Sequence, residues 1–179
     1  MSKQEPIKAM EIHGEKKKIV LAGNPNVGKS VFFNSLTGLY VDVSNFPGTT
    51  VDVSHGHFEE YAVIDTPGVY GISSFNDEEK VARDVILTAD LIVNVVDAVH
   101  LERDLFLSLQ VIETGIPTII VLNMMDDAKR EGLKIDLALL EEQLGVPVIP
   151  AVAIKGKGLK ELKEKLNSTV LKAETSGKI

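Results

Sequence analysis

The sequence predicts an α/β fold with a mostly parallel six-stranded sheet, one antiparallel edge strand and helices on both faces. From Lys18 onward, short apolar runs alternate with amphipathic helical segments, which is the pattern of a doubly wound sheet. The apolar run 116–122 is typical of a parallel strand that is buried on both faces. A short polar turn separates the apolar stretches 51–58 and 61–65, which predicts one hairpin and therefore one antiparallel strand.

The individual elements follow from the same periodicities. Strands are predicted at 18–23, 51–56, 60–65, 90–97, 117–122 and 147–150. Helices are predicted at 29–37, 77–88, 102–114, 136–144 and 158–170. Two stretches rich in glycine and proline interrupt the pattern and are called here the first loop (39–50) and the second loop (66–77). Loops on a rigid sheet are the usual place for binding and catalytic residues.

Length and composition restrict the possible functions. The 179 residues fit one domain over 18–170, with a flexible tail over 1–17 and a C-terminal tail over 171–179. The net charge of −7 argues against a surface that binds nucleic acid or a polybasic membrane patch. Cysteine is absent, which excludes disulfides and thiolate metal sites. Because no apolar run reaches the length of a membrane span, we expect the chain as given to be soluble.

Residues 23–30 form a complete G-x-x-x-x-G-K-[ST] phosphate loop between a predicted strand and a predicted helix. In that position, backbone N–H groups and the helix dipole favour bound phosphate. Lys29 would reach the β- and γ-phosphates, and the Ser30 hydroxyl would bind magnesium. The alternative is a glycine-containing turn with an unrelated lysine. The predicted nucleotide-binding residues here are Gly23, Asn24, Pro25, Asn26, Val27, Gly28, Lys29, Ser30 and Val31.

The stretch Asp65, Thr66, Pro67, Gly68 follows the predicted strand 60–65. Asp65 would hold magnesium through water, and the Gly68 N–H would contact the γ-phosphate. Without the phosphate loop upstream, the same four residues would be read as a simple turn.

The first loop carries a candidate threonine ligand. Thr50 could close on magnesium and the γ-phosphate through its hydroxyl and backbone. The alternative is that Thr49 and Thr50 are a β-branched pair at the start of the next strand.

Asn123, Met124 and Asp126 follow the predicted strand 117–122 and favour guanine. The carboxylate of Asp126 could accept both the N1–H and the 2-amino group of guanine, a pair that adenine lacks. Asn123 would contact N7 and brace the loops. The alternative is that Asp126 or Asp127 caps the next helix.

The last predicted strand leads into Val152, Ala153 and Ile154. A backbone N–H near Ala153 could donate to guanine O6. Without the other motifs, this stretch is a plain loop.

Taken in order, these motifs resemble the TRAFAC-type GTPases. They are most similar to the cytosolic G domain of FeoB, the family of bacterial and archaeal ferrous iron transporters. The similarity is carried by the phosphate loop, Asn-Phe-Pro-Gly-Thr-Thr-Val (45–51), Asp-Thr-Pro-Gly-Val-Tyr (65–70), Asn-Asp-Glu-Glu-Lys-Val-Ala-Arg-Asp (76–84) and Asn-Met-Met-Asp (123–126). Val152 departs from the family, which usually has serine or threonine before the alanine of its final guanine motif.

The resemblance implies a Ras-like P-loop GTPase fold that binds GTP and Mg²⁺. It places the domain at the cytoplasmic face of the prokaryotic inner membrane, with the membrane-spanning part of the same transporter as its partner. FeoB proteins continue into a helical spacer domain and membrane helices, so the chain as given is expected to be a cytosolic fragment. Binding of nucleic acid is not expected, and a homo-oligomer is an open alternative.

The predicted catalytic residues are Lys29, Asn26, Thr50 and Gly68. Val69 stands where Ras-like proteins place the glutamine that orients water. The three arginines, Arg83, Arg103 and Arg130, all lie outside the two loops. We therefore expect slow intrinsic hydrolysis, on the order of 10⁻⁴ to 10⁻² per second.

The resemblance also implies a potassium site. Asn26 would bind K⁺ together with backbone carbonyls near Ser44 and Phe46. A monovalent cation there would stabilise charge on the transferring phosphate, as an arginine finger does. The alternative is that Asn26 only shapes its loop.

Three other functions remain open at this stage. The first is a ribosome-assembly or tRNA-modification GTPase with similar loops. The second is a non-catalytic module that distinguishes GTP from GDP. The third is an ATP-using P-loop enzyme, which Asn123 and Asp126 oppose.

Overall fold

Seven strands form one sheet in the computed structural model, which describes residues 16–176. Their order across the sheet is β2-β3-β4-β1-β5-β6-β7. The strands are β1 (Lys18–Gly23), β2 (Asp42–Asn45), β3 (Asp52–Phe58), β4 (Tyr61–Asp65), β5 (Leu91–Asp97), β6 (Thr118–Asn123) and β7 (Val148–Pro150). Strand β3 runs antiparallel to both of its neighbours, and the pairs from β4 to β7 are parallel.

The sheet confirms the predicted α/β class but has one more strand at its edge than predicted. Residues 16–176 contribute seven strands rather than six, because the first loop contains β2 at the edge of the sheet. The antiparallel strand β3 is consequently second from the edge. Strand β2 is short, polar and largely exposed, so it shows no apolar alternation in the sequence. Pairing with β3, from Asp42 opposite His55 to Asn45 opposite Asp52, holds it in place.

Helices cover the sheet at each of the five predicted positions. The helices are α1 (Lys29–Thr37), α2 (Asp77–Ile86), α3 (Leu101–Glu113), α4 (Met125–Arg130), α5 (Leu137–Leu144) and α6 (Leu159–Ser176). The short helix α4 was not predicted, and α6 continues through residues 171–176, which were assigned to a tail. Most of the predicted N-terminal tail, residues 1–15, lies outside the described part of the chain. Of the helices in residues 16–176, none combines the length and apolarity that crossing a membrane requires.

The core consists of a layer on each face of the sheet, as alternation along β1 illustrates. Ile19 and Leu21 pack in the layer that contains residues of α1 and α6. Val20 and Ala22 point to the opposite face, into the layer formed with α2 and α3. All four side chains are essentially inaccessible to solvent. Burial on both faces explains why the parallel strands read as continuous apolar runs in the sequence.

The parallel direction of the strands determines where a ligand site can form. The carboxyl ends of β1, β4, β6 and β7 lie at the same edge of the sheet. In open α/β sheets, ligands bind outside this edge, in the loops that follow the strands. The phosphate loop, the second loop and both predicted guanine-binding stretches all follow these four strands.

Candidate nucleotide-binding site

The phosphate loop joins β1 to α1 through a tightly wound turn. Asn26 and Gly28 both adopt left-handed backbone angles, with φ of 63° and 87°. The carbonyl of Gly28 accepts a hydrogen bond of 3.1 Å from the N–H of Val31 in the first turn of α1. Left-handed residues at a helix N-terminus turn successive N–H groups into a concave anion site. The local geometry therefore suits phosphate.

The second loop begins in direct contact with the phosphate loop. The N–H of Val69 donates to the carbonyl of Gly23 at 3.2 Å. A Cβ on Gly68 would lie 2.9 Å from the Cα of Pro25, and one on Gly23 would lie 2.7 Å from the carbonyl oxygen of Val95. A side chain would not fit at either glycine. The predicted γ-phosphate ligand Gly68 thus lies beside the phosphate loop, as the sequence required.

Lys29 and Asp65 form an ion pair within this site. The Lys29 ammonium donates to the Asp65 carboxylate and to the carbonyl of Thr66. Thr66 is anchored in turn, since its hydroxyl donates to the Leu21 carbonyl at 2.7 Å. Burial raises the pKa of the Asp65 carboxyl above its usual value, although the charge of Lys29 acts in the opposite direction. The lysine and the carboxylate that were predicted to serve phosphate and magnesium therefore neutralise each other here.

Asn123 connects the phosphate loop to the loop after β7. Its side-chain amide donates to the Val27 carbonyl at 2.9 Å, and its Oδ1 accepts from the Ala153 N–H at 3.0 Å. The side chain is 3% exposed. A Cβ on Gly28 would fall on the Asn123 amide, so this glycine makes the contact possible. Asn123 braces the loops, as predicted.

Asp126 lies in the first turn of α4 and is only partly buried. Its Oδ2 accepts a hydrogen bond of 2.9 Å from the Lys155 ammonium, and its Oδ1 accepts from the Asp127 N–H at 3.0 Å. The hydrogen bond from Lys155 lowers the pKa of Asp126 below its usual value. An ionised carboxylate is the group that a guanine edge requires.

One backbone N–H of the loop after β7 is already engaged. The prediction concerns a backbone N–H near Ala153, and the N–H of Ala153 itself donates to Asn123. The next amide, that of Ile154, follows it within the 3₁₀ turn Ala153–Lys155. Val152 closes the loop by accepting from and donating to the backbone of Lys157. A valine at this position is therefore compatible with an ordered loop.

The predicted ligands of the first loop make local contacts in this structure. The Thr50 side chain is exposed, whereas Thr49 donates through its N–H and its hydroxyl to the Phe46 carbonyl. Ser44 belongs to β2 and pairs with Val53. The Phe46 carbonyl, one predicted potassium ligand, is thus engaged within the loop itself.

Sequence reasoning missed Asp104, a carboxylate at the flank of the phosphate loop. It is 1% exposed and accepts a hydrogen bond of 2.9 Å from the Asn24 side chain. A signal was present, because Asp104 shares a face of the predicted helix 102–114 with Leu107 and Val111. An acidic residue on an apolar helix face indicates a buried polar contact.

Comparison with known proteins gives one consistent result. The family model described as "Ferrous iron transport protein B" matches residues 17–166. The Fe(2+) transporters FeoB of Shigella flexneri and Escherichia coli K12 are each 42% identical to the chain over 159 residues. Those alignments cover 83% of this chain and 21% of each relative. The chain thus spans about a fifth of the length of these curated relatives.

Solved structures agree with the sequence relatives. A variant of S. thermophilus NFeoB bound to GDP is 45% identical, with a TM-score of 0.79 over 83% of this chain and 61% of that chain. The FeoB G-domain from Methanococcus jannaschii is 42% identical, with a TM-score of 0.73 over 86% of this chain and 97% of that chain.

Proposed function

The chain belongs to the family of ferrous iron transport protein B, and we propose that it is the domain of such a transporter that binds and hydrolyses GTP. The predicted resemblance to the FeoB G domain is thereby confirmed, and its fold is that of a Ras-like GTPase. A ribosome-assembly or tRNA-modification role is not favoured, because the relatives are iron transporters. The GTPase assignment is further supported by the GDP that the S. thermophilus relative carries.

The observation that carries the proposal is the double contact of Asn123. A single buried side chain holds the phosphate loop through Val27 and the loop after β7 through Ala153. The phosphate and base ends of a nucleotide must be bound at a fixed separation, and this contact fixes the two loops relative to each other. Asp126, three residues further along, then presents its carboxylate for the base. We propose that the N–H of Ile154 donates to guanine O6, because the N–H of Ala153 already donates to Asn123.

The magnesium proposal rests on the donor set beside the phosphate loop. Ser30 supplies a hydroxyl and Asp65 a carboxylate, and Mg²⁺ prefers such oxygen ligands. Thr50 would join them from the first loop, where its side chain is exposed in this structure. Bound magnesium would neutralise charge on the β- and γ-phosphates. When a nucleotide enters, Lys29 would exchange Asp65 for phosphate oxygens and so release the carboxylate for the metal's water shell.

Slow hydrolysis is part of the proposal. Val69 is buried and apolar and cannot orient a water molecule. Arg83 and Arg103 extend from helices and contact Ser74 and Tyr70 of the second loop. With neither a glutamine nor an arginine from a loop, the geometry supports turnover in the slow range expected of an unassisted G domain.

A stimulating role for potassium is also proposed. Asn26 lies in the phosphate loop in a left-handed conformation, which asparagine adopts more readily than most residues, and its amide oxygen is a ligand type that a monovalent cation accepts. The Phe46 carbonyl would have to leave Thr49 before it could bind the ion. The test compares hydrolysis in potassium and in sodium. Equal rates in the two salts, or equal stimulation of Asn26→Ala, would contradict the role.

We further propose that the domain acts at the cytoplasmic face of the inner membrane, attached to the pore-forming part of the transporter. The support comes from the curated relatives, which are about five times longer than the matched region and are Fe(2+) transporters. Mass spectrometry of the protein purified from membranes of its source would detect peptides beyond Ile179 if the proposal holds.

The decisive experiment on the site replaces the guanine base of the nucleotide with xanthine. Xanthine differs from guanine by a carbonyl in place of the 2-amino group, so it presents one donor and one acceptor. Asp126→Asn should therefore lose affinity for GTP and gain affinity for xanthosine triphosphate, each by about 100-fold, or 2.7 kcal/mol. Asp127→Asn is the matched control and should keep its preference for GTP. Unchanged selectivity in Asp126→Asn would show that the base is bound elsewhere.

A further inference from the structure

A buried carboxylate connects two parts of the nucleotide site. Asp104 lies in the first turn of α3, where the helix dipole favours negative charge. Its Oδ2 accepts from the Asp97 N–H at 2.9 Å, and its Oδ1 accepts from both Asn24 and Arg103 at 2.9 Å. All three partners are donors. A buried charge is tolerated only with such partners, so the arrangement depends on the carboxylate.

Asn24 is held by this contact. The residue is 2% exposed and immediately follows β1 in the phosphate loop. Its Nδ2 donates to Asp104, while its Oδ1 has no hydrogen-bond partner within residues 16–176. Asp104 is therefore the group that fixes the orientation of this amide.

Arg103 extends the connection to the second loop. Its Nε donates to Asp104, and its guanidinium carbon lies 5.7 Å from the centre of the Tyr70 ring. This distance is within the range of a cation–π contact. Tyr70 follows Gly68 by two residues, so a shift of the second loop toward phosphate would also move the ring.

From these contacts we propose that Asp104 is a positioning residue that couples the phosphate loop to the second loop, through Asn24 on one side and Arg103 and Tyr70 on the other. The proposal rests on the nucleotide-binding function proposed above. It assigns Asp104 no contact with the nucleotide. Its role is to hold Asn24 in place when the pocket is empty and to transmit the position of Tyr70 when the pocket is filled.

Asparagine at position 104 is the sharpest substitution. It keeps the shape of aspartate but has only one acceptor atom, so an N–H group must face either Asn24 or the Asp97 amide. One buried donor is then left facing another donor. We expect Asp104→Asn to weaken binding of Mg–GDP by about 10-fold, which corresponds to 1.4 kcal/mol.

A tryptophan reporter makes the coupling visible. The chain contains no tryptophan, so Tyr70→Trp gives a single emission signal from the second loop. Tryptophan is also the best partner for an arginine cation. In this background, the emission should differ between Mg–GDP and a non-hydrolysable Mg–GTP analogue. Adding Arg103→Met or Asp104→Asn should remove most of that difference, whereas Glu102→Gln, at an exposed site in the same turn, should leave it intact.

Two controls separate positioning from general stability. Ser108→Ala removes the hydrogen bonds of a buried α3 hydroxyl to Asn94 on β5 and to the backbone carbonyl of Asp104. It leaves the Asp104 carboxylate and its three donors in place. It should lower the melting temperature and leave the affinity for Mg–GDP unchanged. Asn24→Ala removes the Asn24–Asp104 hydrogen bond from the other side. The double variant Asn24→Ala with Asp104→Asn should bind Mg–GDP no more weakly than whichever single variant has the lower affinity.

The outcomes are distinguishable. If the parent protein does not bind Mg–GDP, the proposed function falls and this inference falls with it. If the parent binds and Asp104→Asn keeps parental affinity and emission, only the inference is overturned. Additive losses in the double variant would likewise show that Asp104 does not act through Asn24.

Discussion

Replacing Asn123 with alanine removes both hydrogen bonds that join the phosphate loop to the loop after β7. Each bond contributes about 0.5–1.5 kcal/mol net, and each buried partner left unpaired costs about 1–3 kcal/mol. Because the side chain is 3% exposed, water would not readily replace it. We expect Asn123→Ala to lower the free energy of unfolding by about 2–4 kcal/mol. For a domain of this size, that is a fall in melting temperature of about 5–15 °C.

The loss should also appear in nucleotide binding. With the Val27 carbonyl and the Ala153 N–H released, the phosphate and base loops lose their fixed separation. We expect the affinity for Mg–GDP to fall by about 10- to 100-fold, or 1.4–2.7 kcal/mol. Calorimetric titration of the folded variant, well below its melting temperature, measures this directly. The increase in melting temperature on adding Mg–GDP should shrink in parallel, because it depends on the same dissociation constant.

A matched control makes the result interpretable. Asn94 is also a buried asparagine with two contacts, to Ala22 and Ser108, but it joins no nucleotide loop. Asn94→Ala should lower the melting temperature without changing the affinity for Mg–GDP. If Asn123→Ala lost stability but bound Mg–GDP as tightly as the parent, the reasoning about loop spacing would be refuted.

Three further predictions concern single residues. Gly28→Ala should abolish nucleotide binding in a filter assay, because the new Cβ would fall on the Asn123 side chain. Gly38→Ala is the control and should still bind nucleotide, because Gly38 has a similar positive φ but open space around it. Lys155→Ala should raise the pKa of Asp126 and reduce the preference for GTP over ATP several-fold in competition assays. An unchanged preference would show that the Lys155–Asp126 contact has no role in base selectivity. As pH falls through the raised pKa of Asp65, its carboxylate becomes protonated and the affinity for Mg–GDP should decrease. Asp65→Asn should bind Mg–GDP more weakly at every pH and should not lose further affinity as the pH falls. If its affinity fell in parallel with that of the parent, a group other than Asp65 would be responsible for the pH dependence.

Most of the fold was predictable because burial dictates its sequence pattern. Strands β5 and β6 are buried along their whole length, and their apolar runs located them within one residue. Strand β2 could not be found in this way, because its position depends on backbone pairing with β3 and not on apolar side chains. Helix α4 has six residues, too few for a helical period to be visible.

The site was predictable where a motif dictates backbone geometry. The phosphate loop and Asn123 occupy the positions that their sequence motifs require. The Asn123–Ala153 bond could not be foreseen, because it depends on the register of two loops that are 30 residues apart. The ion pair of Lys29 with Asp65 is likewise a tertiary contact, between the start of α1 and the end of β4. Asp104 was visible only as a charge on an apolar face, without an indication of its partners.

We propose that the loops after β1, β6 and β7 form one pocket for a guanine nucleotide. Titration calorimetry with GDP and ADP, each with magnesium, tests it most directly. We expect one molecule of GDP to bind per chain, with little or no binding of ADP. No heat with GDP at millimolar concentration, or equal affinity for ADP, would contradict it.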